Sequence, residues 1–198
     1  IHENEDDGEP DAPKSADLLN PEAVQCFIRL THERYYSVLG DHFGKTVIAI
    51  FTDEPDITGR NARRGALPWT EGFLAELGDP ALLPCLFFHG HEEEKRRFRQ
   101  AVNARMIRTY YQPLADWCAA HGIALTGHPA KGYDIGLLAP FQLPGQDLVW
   151  RYVEPGKGIT GDESVLGKCA ADSARHGGRR RNANECFGCC GKDGVQWS

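Results

Sequence analysis

The chain has 198 residues with 28 acidic and 22 basic side chains, which gives a formal net charge of −6. This length is enough for one domain with a sizeable core, and the mild negative charge gives no indication of nucleic-acid binding. The sequence has no apolar run of the roughly 18 residues that a membrane-spanning helix needs, so no membrane span is predicted.

Seven cysteines are scattered along the chain. An odd number, in a chain too large to need disulfide bonds for stability, indicates buried thiols in a reducing environment. This pattern favours a cytoplasmic location. A secreted or periplasmic location is also compatible with the sequence if the chain belongs to a longer parent protein.

The chain begins with a polar, acidic segment at 1–16, which is predicted to be a loop or a frayed end. The remainder, 17–198, is predicted to form one domain. Asn20-Pro21 is typical of a helix start, with asparagine as the N-cap and proline at the first helical position. Apolar residues at helical spacing extend this helix as far as Gly40, which is predicted to end it.

Val47–Phe51 is a continuous apolar run, which is typical of a strand buried on both faces of a parallel sheet. It leads directly into Thr52-Asp53-Glu54-Pro55. Because burying two carboxylates in that layer would be costly, Asp53 and Glu54 are expected to lie where the strand ends. The carboxyl ends of parallel strands are where α/β proteins place their binding and catalytic sites.

Two helical segments follow this strand. Trp69–Leu77 predicts a short helix, in which Trp69 is either a core residue or a platform on which a sugar ring stacks. A long helix then starts at Glu92, stabilised by opposite charges three and four residues apart. Because Pro113 lies inside this helix, a kink or a short break is expected near Gln112.

The second predicted strand, Ile123–His128, ends at a histidine. Leu137-Leu138-Ala139 is a candidate for the beginning of a third strand or for the segment that leads into one. Pro144-Gly145, just before Asp147, is typical of a tight turn.

A helix capped by Asp162 is predicted to end at Gly177-Gly178. The last element, Arg180–Phe187, contains Asn184 and Glu185 and is predicted to be a strand because strands and helices alternate before it. Such alternation is typical of right-handed βαβ units and an α/β fold with a parallel sheet.

The polar residues at the strand ends are the candidates for chemistry. Two carboxylates from different strands of one sheet can flank a glycosidic bond, where one protonates the leaving oxygen and the other attacks or activates water. A glutamate that donates the proton near neutral pH needs a raised pKa, which partial burial at a strand end can supply. The candidates are Asp53, Glu54, His128, Asp147, Asn184 and Glu185.

Two of these segments resemble the catalytic motifs of clan A glycoside hydrolases. Thr52-Asp53-Glu54-Pro55 resembles their Asn-Glu-Pro signature at the end of strand 4, and Asn184-Glu185-Cys186-Phe187-Gly188 resembles a motif at the end of strand 7. The two glutamates are 185 − 54 = 131 residues apart, which is room for three βα units. Segments 125–129 and 144–147 are similar to those of large bacterial proteins related to family 106 α-L-rhamnosidases and family 2 β-galactosidases.

This resemblance covers about residues 17–197 and implies a glycosidase that hydrolyses O-glycosidic bonds. It implies an α/β fold that is a partial (β/α)8 TIM barrel, comprising about strands 4 to 7 with their helices. Glu54 would be the general acid/base and Glu185 the nucleophile or base. The implied substrate-binding residues are Asp53, His128, Asp147, Asn184 and Trp69.

The resemblance also implies what else the protein needs. Its partners would be a carbohydrate substrate and the remaining barrel strands and accessory domains of a longer parent chain, without which this piece is expected to be inactive. The clan motifs imply no cofactor. Family 106 proteins, however, are thought to invert configuration with the help of calcium, which Asp53, Asp147 or Glu185 would then contact. Asp53 also stands where the clan has asparagine.

Two other functions are compatible with the sequence. The first is a metal-binding module, because several cysteines and a histidine have ligand-like spacing near the end of the chain. No second matched cysteine pair accompanies them, so no zinc site is expected there. The second is a non-catalytic carbohydrate-binding remnant. The residues of the metal-binding alternative are Cys169, His176, Cys186, Cys189 and Cys190.

Overall fold

The structure is a computed structural model that describes residues 15–59, 65–132, 134–147 and 167–185. The chain forms two compact units, here called the helical unit (1–41 and 56–114) and the sheet unit (42–55 and 115–198). Most of the acidic segment at 1–16 and the cysteines at 186, 189 and 190 lie outside the described residues. The domain bounds predicted from the sequence stay a prediction.

In the part of the helical unit that the structure describes there are five α-helices and a π-helical turn. They are α1 (Pro21–Leu30), α2 (His32–Leu39), α3 (Phe73–Leu77), α4 (Leu82–Cys85), α5 (Glu92–Met106) and the turn Ile107–Tyr111.

The start of α1 follows directly from its sequence. The side chain of Asn20 accepts a hydrogen bond of 3.0 Å from the N–H of Glu22, and Pro21 occupies the first helical position. The single helix predicted as far as Gly40 is wrong, because Thr31 interrupts it with φ −114° and ψ −68°. Its β-branched side chain is one of those that fit least easily inside a helix.

The irregularity predicted in the long helix is confirmed. The π-helical turn Ile107–Tyr111 lies just before α6 (Gln112–Ala120), whose second residue is Pro113. Proline has no N–H to donate, and its ring collides with the carbonyl four residues earlier in a regular helix. The wider π-turn accommodates that proline in the chain as it passes from the helical unit into the sheet unit.

The core of the helical unit lies between α3, α4 and α5. Its buried residues are Phe73, Leu77, Leu82, Phe98 and Val102. Trp69 lies before α3 and is 47% exposed, with its ring edge-on to Phe73 at 5.6 Å. Trp69 is therefore not a buried core residue, and the predicted helix Trp69–Leu77 begins only at Phe73.

Arg105 is the buried charge of this unit, and its guanidinium connects three segments. It donates hydrogen bonds to the carbonyl of Leu19 at 2.8 Å, to Oε1 of Glu76 at 2.5 Å and to the carbonyl of Glu71 at 3.3 Å. We expect Arg105→Met to reduce the free energy of unfolding by about 2–3 kcal/mol, since it leaves the buried carbonyl of Leu19 without its hydrogen bond and removes one of the two arginine partners of Glu76. Urea unfolding of the chain measures this loss.

Arg96→Met provides the matched control on the same helix. Arg96 is exposed and pairs only along α5, with Glu93 at 2.5 Å. Its replacement should change the unfolding free energy far less than that of Arg105, because an exposed ion pair contributes little to stability. Equal effects of the two substitutions would contradict the role given to Arg105.

The described residues of the sheet unit form four strands, one helix within the unit and the end of α6. The elements are β1 (Ala49–Asp53), β2 (Ala124–His128), β3 (Leu143–Asp147), α7 (Cys169–His176) and β4 (Ala183–Glu185). All pairings are parallel and the strand order is β1-β2-β3-β4. The predicted α/β class with a parallel sheet is confirmed.

The ends of β1 and β2 are aligned with each other, whereas β3 and β4 extend beyond them. Asp53 is opposite His128, and Gly127 is opposite Pro144, whereas Asp147 is opposite Glu185. Because Gly127 is opposite Pro144, the next residues, His128 and Gly145, are also opposite each other. β3 and β4 therefore extend two residues further than β1 and β2 at this end of the sheet. Such a stagger is also required when parallel strands curve into a barrel.

Two predictions between β2 and α7 are wrong. Leu137-Leu138-Ala139 is not a strand, because residues 135–138 form a turn of 3₁₀-helix. Pro144-Gly145 is not a tight turn, because both residues lie inside β3. A Cβ on Gly145 would lie 2.6 Å from the carbonyl oxygen of Gly127, so the glycine allows β3 to approach β2 closely.

The expectation that the first strand is buried on both faces is also wrong. Ile48 is 64% exposed and Phe51 is 48% exposed. Among the described residues, β1 pairs with β2 alone and is an outer strand of the sheet. β1 therefore has one edge and part of one face that no described strand covers.

The end of the chain differs from its predicted bounds as well. α7 begins at Cys169 rather than at Asp162, which lies outside the described residues, and it ends at Gly177 as predicted. β4 covers 183–185 of the strand predicted at 180–187, and the last two of those positions lie outside the described residues. No helix in the described part of the chain is long and apolar enough to cross a membrane.

Candidate active site

The four strands end in four ionisable side chains at the same end of the sheet. Asp53, His128, Asp147 and Glu185 are the last residues of β1, β2, β3 and β4 in turn. Because the strands are parallel and the register is continuous, these ends share one rim. The rim is the carboxyl end of the sheet, where α/β proteins bind ligands.

His128 lies at the centre of this group and is 2% exposed. Its Nε2 is 3.0 Å from Oε2 of Glu185 and 3.7 Å from Oδ1 of Asp53. Carboxylates only accept hydrogen bonds when ionised, so Nε2 carries the hydrogen and donates it to Glu185. The imidazole thus joins the first strand of the sheet to the last.

Close packing between β1 and β2 brings His128 to this position. Gly127 has φ +116°, and a Cβ on it would lie 2.0 Å from the carbonyl oxygen of Thr52. Only glycine fits here without displacing backbone. Phe51, two residues before Asp53, places its ring edge-on to the imidazole of His128 at 5.6 Å.

Asp147 has the perturbed pKa of the group. Burial raises the pKa of its carboxyl above the ordinary value, and the negative charges of Glu185 and Asp53 raise it further, while His128 opposes them. Three carboxylates around one imidazole therefore disfavour the fully ionised state. A carboxyl that holds its proton more strongly than usual in such a cleft is a feature of functional sites.

This shift predicts a pH-dependent gain in stability for Asp147→Asn. A raised pKa in the folded state means that wild type loses stability as the pH rises through the carboxyl range. The amide removes that loss, so the variant should be more stable by roughly 0.5 kcal/mol at pH 7, the scale of a partly exposed charge pair. At pH 3 the difference should vanish, which urea unfolding at both pH values tests. A constant difference at both would contradict the assignment.

The structure brings Asp53, rather than Glu54, to His128. The donor atoms of Asp53, His128 and Glu185 all lie within 4.8 Å of one another, and Glu54 is not part of this group. Glu54 follows directly after β1 and is half-buried. Its backbone has φ +39°, a conformation that residues other than glycine rarely adopt. Backbone strain of this kind is concentrated at active sites and ligand-binding sites.

The other two predicted site residues are placed differently. Asn184 precedes Glu185 in β4 and pairs with Gln146, whose side chain accepts a hydrogen bond from the N–H of Ala170 in α7. Since side chains alternate along a strand, Asn184 lies on the opposite face of the sheet from Glu185. Trp69 belongs to the helical unit. Substrate binding by either residue stays a prediction.

Two further residues of the same face were not singled out in the sequence. They are Phe51, described above, and Thr126, which is 7% exposed and whose hydroxyl has no hydrogen-bond partner within the described part of the chain. Phe51 and Thr126 are opposite each other, two residues before Asp53 and His128. The period of two along a strand is the signal that places them on the face of the site.

The donor set at this rim does not fit a calcium ion bound between these three residues. Calcium takes six to eight oxygen ligands, whereas here the central donor is the imidazole nitrogen of His128 between two carboxylates. Imidazole is a ligand of zinc, copper, iron and nickel instead. The calcium expected from a likeness to family 106, with Asp53, Asp147 or Glu185 as ligands, stays a prediction, and no step below depends on it.

Comparison with known proteins gives a structural likeness only. No protein-family model and no curated protein sequence matches the chain. The solved structure of a rhamnosidase from Novosphingobium sp. PP1Y is similar to it, with a TM-score of 0.54 and 18% sequence identity. The match covers 74% of this chain and 15% of the rhamnosidase chain. At this identity the likeness shows a shared fold, so the chain resembles about one seventh of a much longer glycoside hydrolase.

Proposed function

We propose that the chain is part of the catalytic domain of a glycoside hydrolase, in which Glu54 is the general acid/base and Glu185 the nucleophile or base. The observation that carries this proposal is the rim of strand-end carboxylates around the buried His128. Glycosidases need two carboxyl groups on either side of the scissile bond. Parallel strands that end at one rim of a sheet can supply such a pair.

Glu185 suits the role of the carboxylate that attacks the sugar or activates water. Its Oε2 accepts the hydrogen bond from His128, and the side chain is 53% exposed. This hydrogen bond holds one carboxylate oxygen in place, and the buried imidazole thereby fixes the orientation of the carboxylate. A fixed carboxylate at an accessible edge meets the positional requirement of either reaction.

Glu54 suits the role of the acid that protonates the leaving oxygen. It lies one residue beyond Asp53 at the end of β1, in a backbone conformation that the surrounding structure must hold in place. Asp53, directed at His128, is a positioning residue in this scheme. The stagger of the strands and the exposed edge of β1 favour a partial (β/α)8 barrel, completed by the remaining strands of a longer parent chain.

The acid role of Glu54 predicts a dependence on the leaving group. In the full natural chain that contains these residues, Glu54→Gln should lower kcat/KM for a poorly leaving alkyl rhamnoside by about 10²-fold or more. A dinitrophenyl rhamnoside needs no protonation to depart, so its loss should be much smaller. Rhamnosides are the first substrates to try because the structural neighbour is a rhamnosidase.

Asp53→Asn is the matched control, because this residue is adjacent but is not assigned proton transfer. Its effect on kcat/KM should be similar for both leaving groups. Equal losses for both substrates in Glu54→Gln would contradict the acid role. Sugar binding by the wild type without turnover of any aryl glycoside would favour the carbohydrate-binding remnant instead.

A further inference from the structure

A second group of metal-ligating side chains lies in the helical unit, within ten residues of the sequence. The donor atoms of Cys85, His91 and Glu94 all lie within 4.8 Å of one another. Cys85 is the last residue of α4, His91 is the N-cap of α5 and Glu94 is in the first turn of α5. The group therefore joins the end of one helix to the start of the next.

The backbone between the two helices turns sharply at the histidine. Gly90 has φ +79° and His91 has φ +59°, so two successive residues are left-handed. Glycine adopts this conformation easily, whereas histidine does so with some strain. His91 caps α5 without any side-chain hydrogen bond to the helix. Its imidazole instead faces Glu94, with 3.8 Å between Nδ1 and Oε2.

The three glutamates at the start of α5 have different partners. Glu92 pairs with Lys95 at 3.2 Å and Glu93 pairs with Arg96 at 2.5 Å. The third, Glu94, approaches His91 and the thiol of Cys85. A solvated acidic face explains the first two residues, but it does not explain why the third meets a sulfur and an imidazole.

We propose that Cys85, His91 and Glu94 bind one zinc ion, with water in the fourth position. A tetrahedral zinc ion, with bonds of about 2.0–2.3 Å, holds its ligand atoms about 3.4–3.6 Å apart. The donor atoms lie within 4.8 Å of one another before any ion is bound, so small side-chain rotations complete the site. A thiolate and an imidazole together select a soft or borderline ion such as zinc over calcium or magnesium.

The ion would fasten α4 to α5 through ligands from both helices. α4 has only four residues, and the apolar Phe87 and Phe88 that follow it are 70% and 65% exposed. The segment between the two helices therefore buries little apolar surface, although Leu82 of α4 packs in the core. A metal bound to the folded state adds its binding free energy to stability. The site belongs to the helical unit and is independent of the proposed glycosidase.

Cobalt(II) titration of the full chain tests the site, because a cobalt–thiolate bond gives a charge-transfer band in the near ultraviolet. The background variant carries serine at Cys186, Cys189 and Cys190, so that the cysteines near the end of the chain do not contribute. We expect one cobalt ion per chain with a thiolate band that zinc displaces. Cys85→Ser should abolish this band.

His91→Gly is the most informative single substitution in the group, because it separates metal affinity from the stability of the apo-protein. Glycine relieves the left-handed strain at this position, so the apo-protein should be as stable as before or slightly more stable. Removing the imidazole should nevertheless weaken cobalt binding by more than about tenfold. Even the loss of a residue that only hydrogen-bonds to a metal ligand lowers metal affinity by about that factor. Glu94→Gln should also weaken binding, whereas Cys26→Ser, which removes another half-buried thiol of the helical unit, should not.

A thiolate band that persists in Cys85→Ser, or cobalt affinity unchanged in His91→Gly, would overturn the proposal. The absence of any band in the background variant would do the same. Zinc should also raise the midpoint of thermal unfolding in the background variant and leave that of Cys85→Ser unchanged. Equal shifts in both would point to zinc held by other residues and would likewise reject the site.

Discussion

Alanine at Glu185 is expected to reduce kcat/KM for an aryl rhamnoside by about 10³-fold or more in the full natural chain. The reason is that the carboxylate either forms the bond to the sugar or activates the attacking water, and no neighbour has the same position. His128 holds Oε2 of Glu185 at 3.0 Å, and the alanine variant leaves that imidazole facing an empty space. Initial rates at substrate concentrations well below KM measure the effect.

The anomeric configuration of the sugar that the wild type first releases identifies which of the two roles Glu185 has, since a nucleophile gives retention and a base gives inversion. In Glu185→Ala, azide should enter the space that alanine leaves and give a glycosyl azide of inverted configuration, which tests that a carboxylate acts at this position. Asp172→Asn is the control, since Asp172 is an exposed acid of the same unit on α7 and is not assigned any role in the site. Its activity should match that of wild type. Wild-type activity in Glu185→Ala would remove this residue from the mechanism.

Gly127→Ala is expected to cause the largest loss of stability, more than about 4 kcal/mol. The added Cβ would lie 2.0 Å from the carbonyl oxygen and 2.7 Å from the amide nitrogen of Thr52, and neither backbone atom can move without separating β1 from β2. The φ of +116° is also strained for alanine. Urea unfolding of the chain and the fraction recovered in solution measure the loss.

Gly136→Ala is the matched control in the same unit. Nothing lies within 4 Å of the position that its Cβ would take, so the substitution should be neutral or slightly stabilising. Gly145→Ala should be intermediate, since its Cβ would lie 2.6 Å from a single carbonyl oxygen, that of Gly127. Equal stability of Gly127→Ala and Gly136→Ala would mean that β1 and β2 do not pack as described.

The sequence predicted the parallel α/β fold well because the relevant signals are local. An apolar run beside Asp53, another before His128 and the caps at Asn20 and Gly177 each depend on a few neighbouring residues. What it could not predict depends on distant pairing. Phe51 is exposed because β1 is an outer strand, and nothing near Phe51 in the sequence says which strand pairs with it.

Pro144-Gly145 illustrates how tertiary contacts override local preference. This dipeptide favours a turn, yet Gly145 is placed in β3 because only glycine fits against the backbone of Gly127. The same holds for the site. Strand alternation predicted that polar residues end the strands, but the side chain that reaches His128 depends on the register of Asp53 with His128. That register could not be read from the sequence.

The most direct measurement of the central proposal is the release of aglycone from an aryl rhamnoside by the full natural chain, compared with its Glu54→Gln/Glu185→Ala double variant. The free energies of unfolding of the two proteins, measured in urea, should agree within about 1 kcal/mol, so that activity is compared between folded proteins. We predict steady turnover by the wild type and none above the buffer rate in the double variant. Equal turnover by the two proteins would contradict the assignment of glycoside hydrolysis to this pair of glutamates.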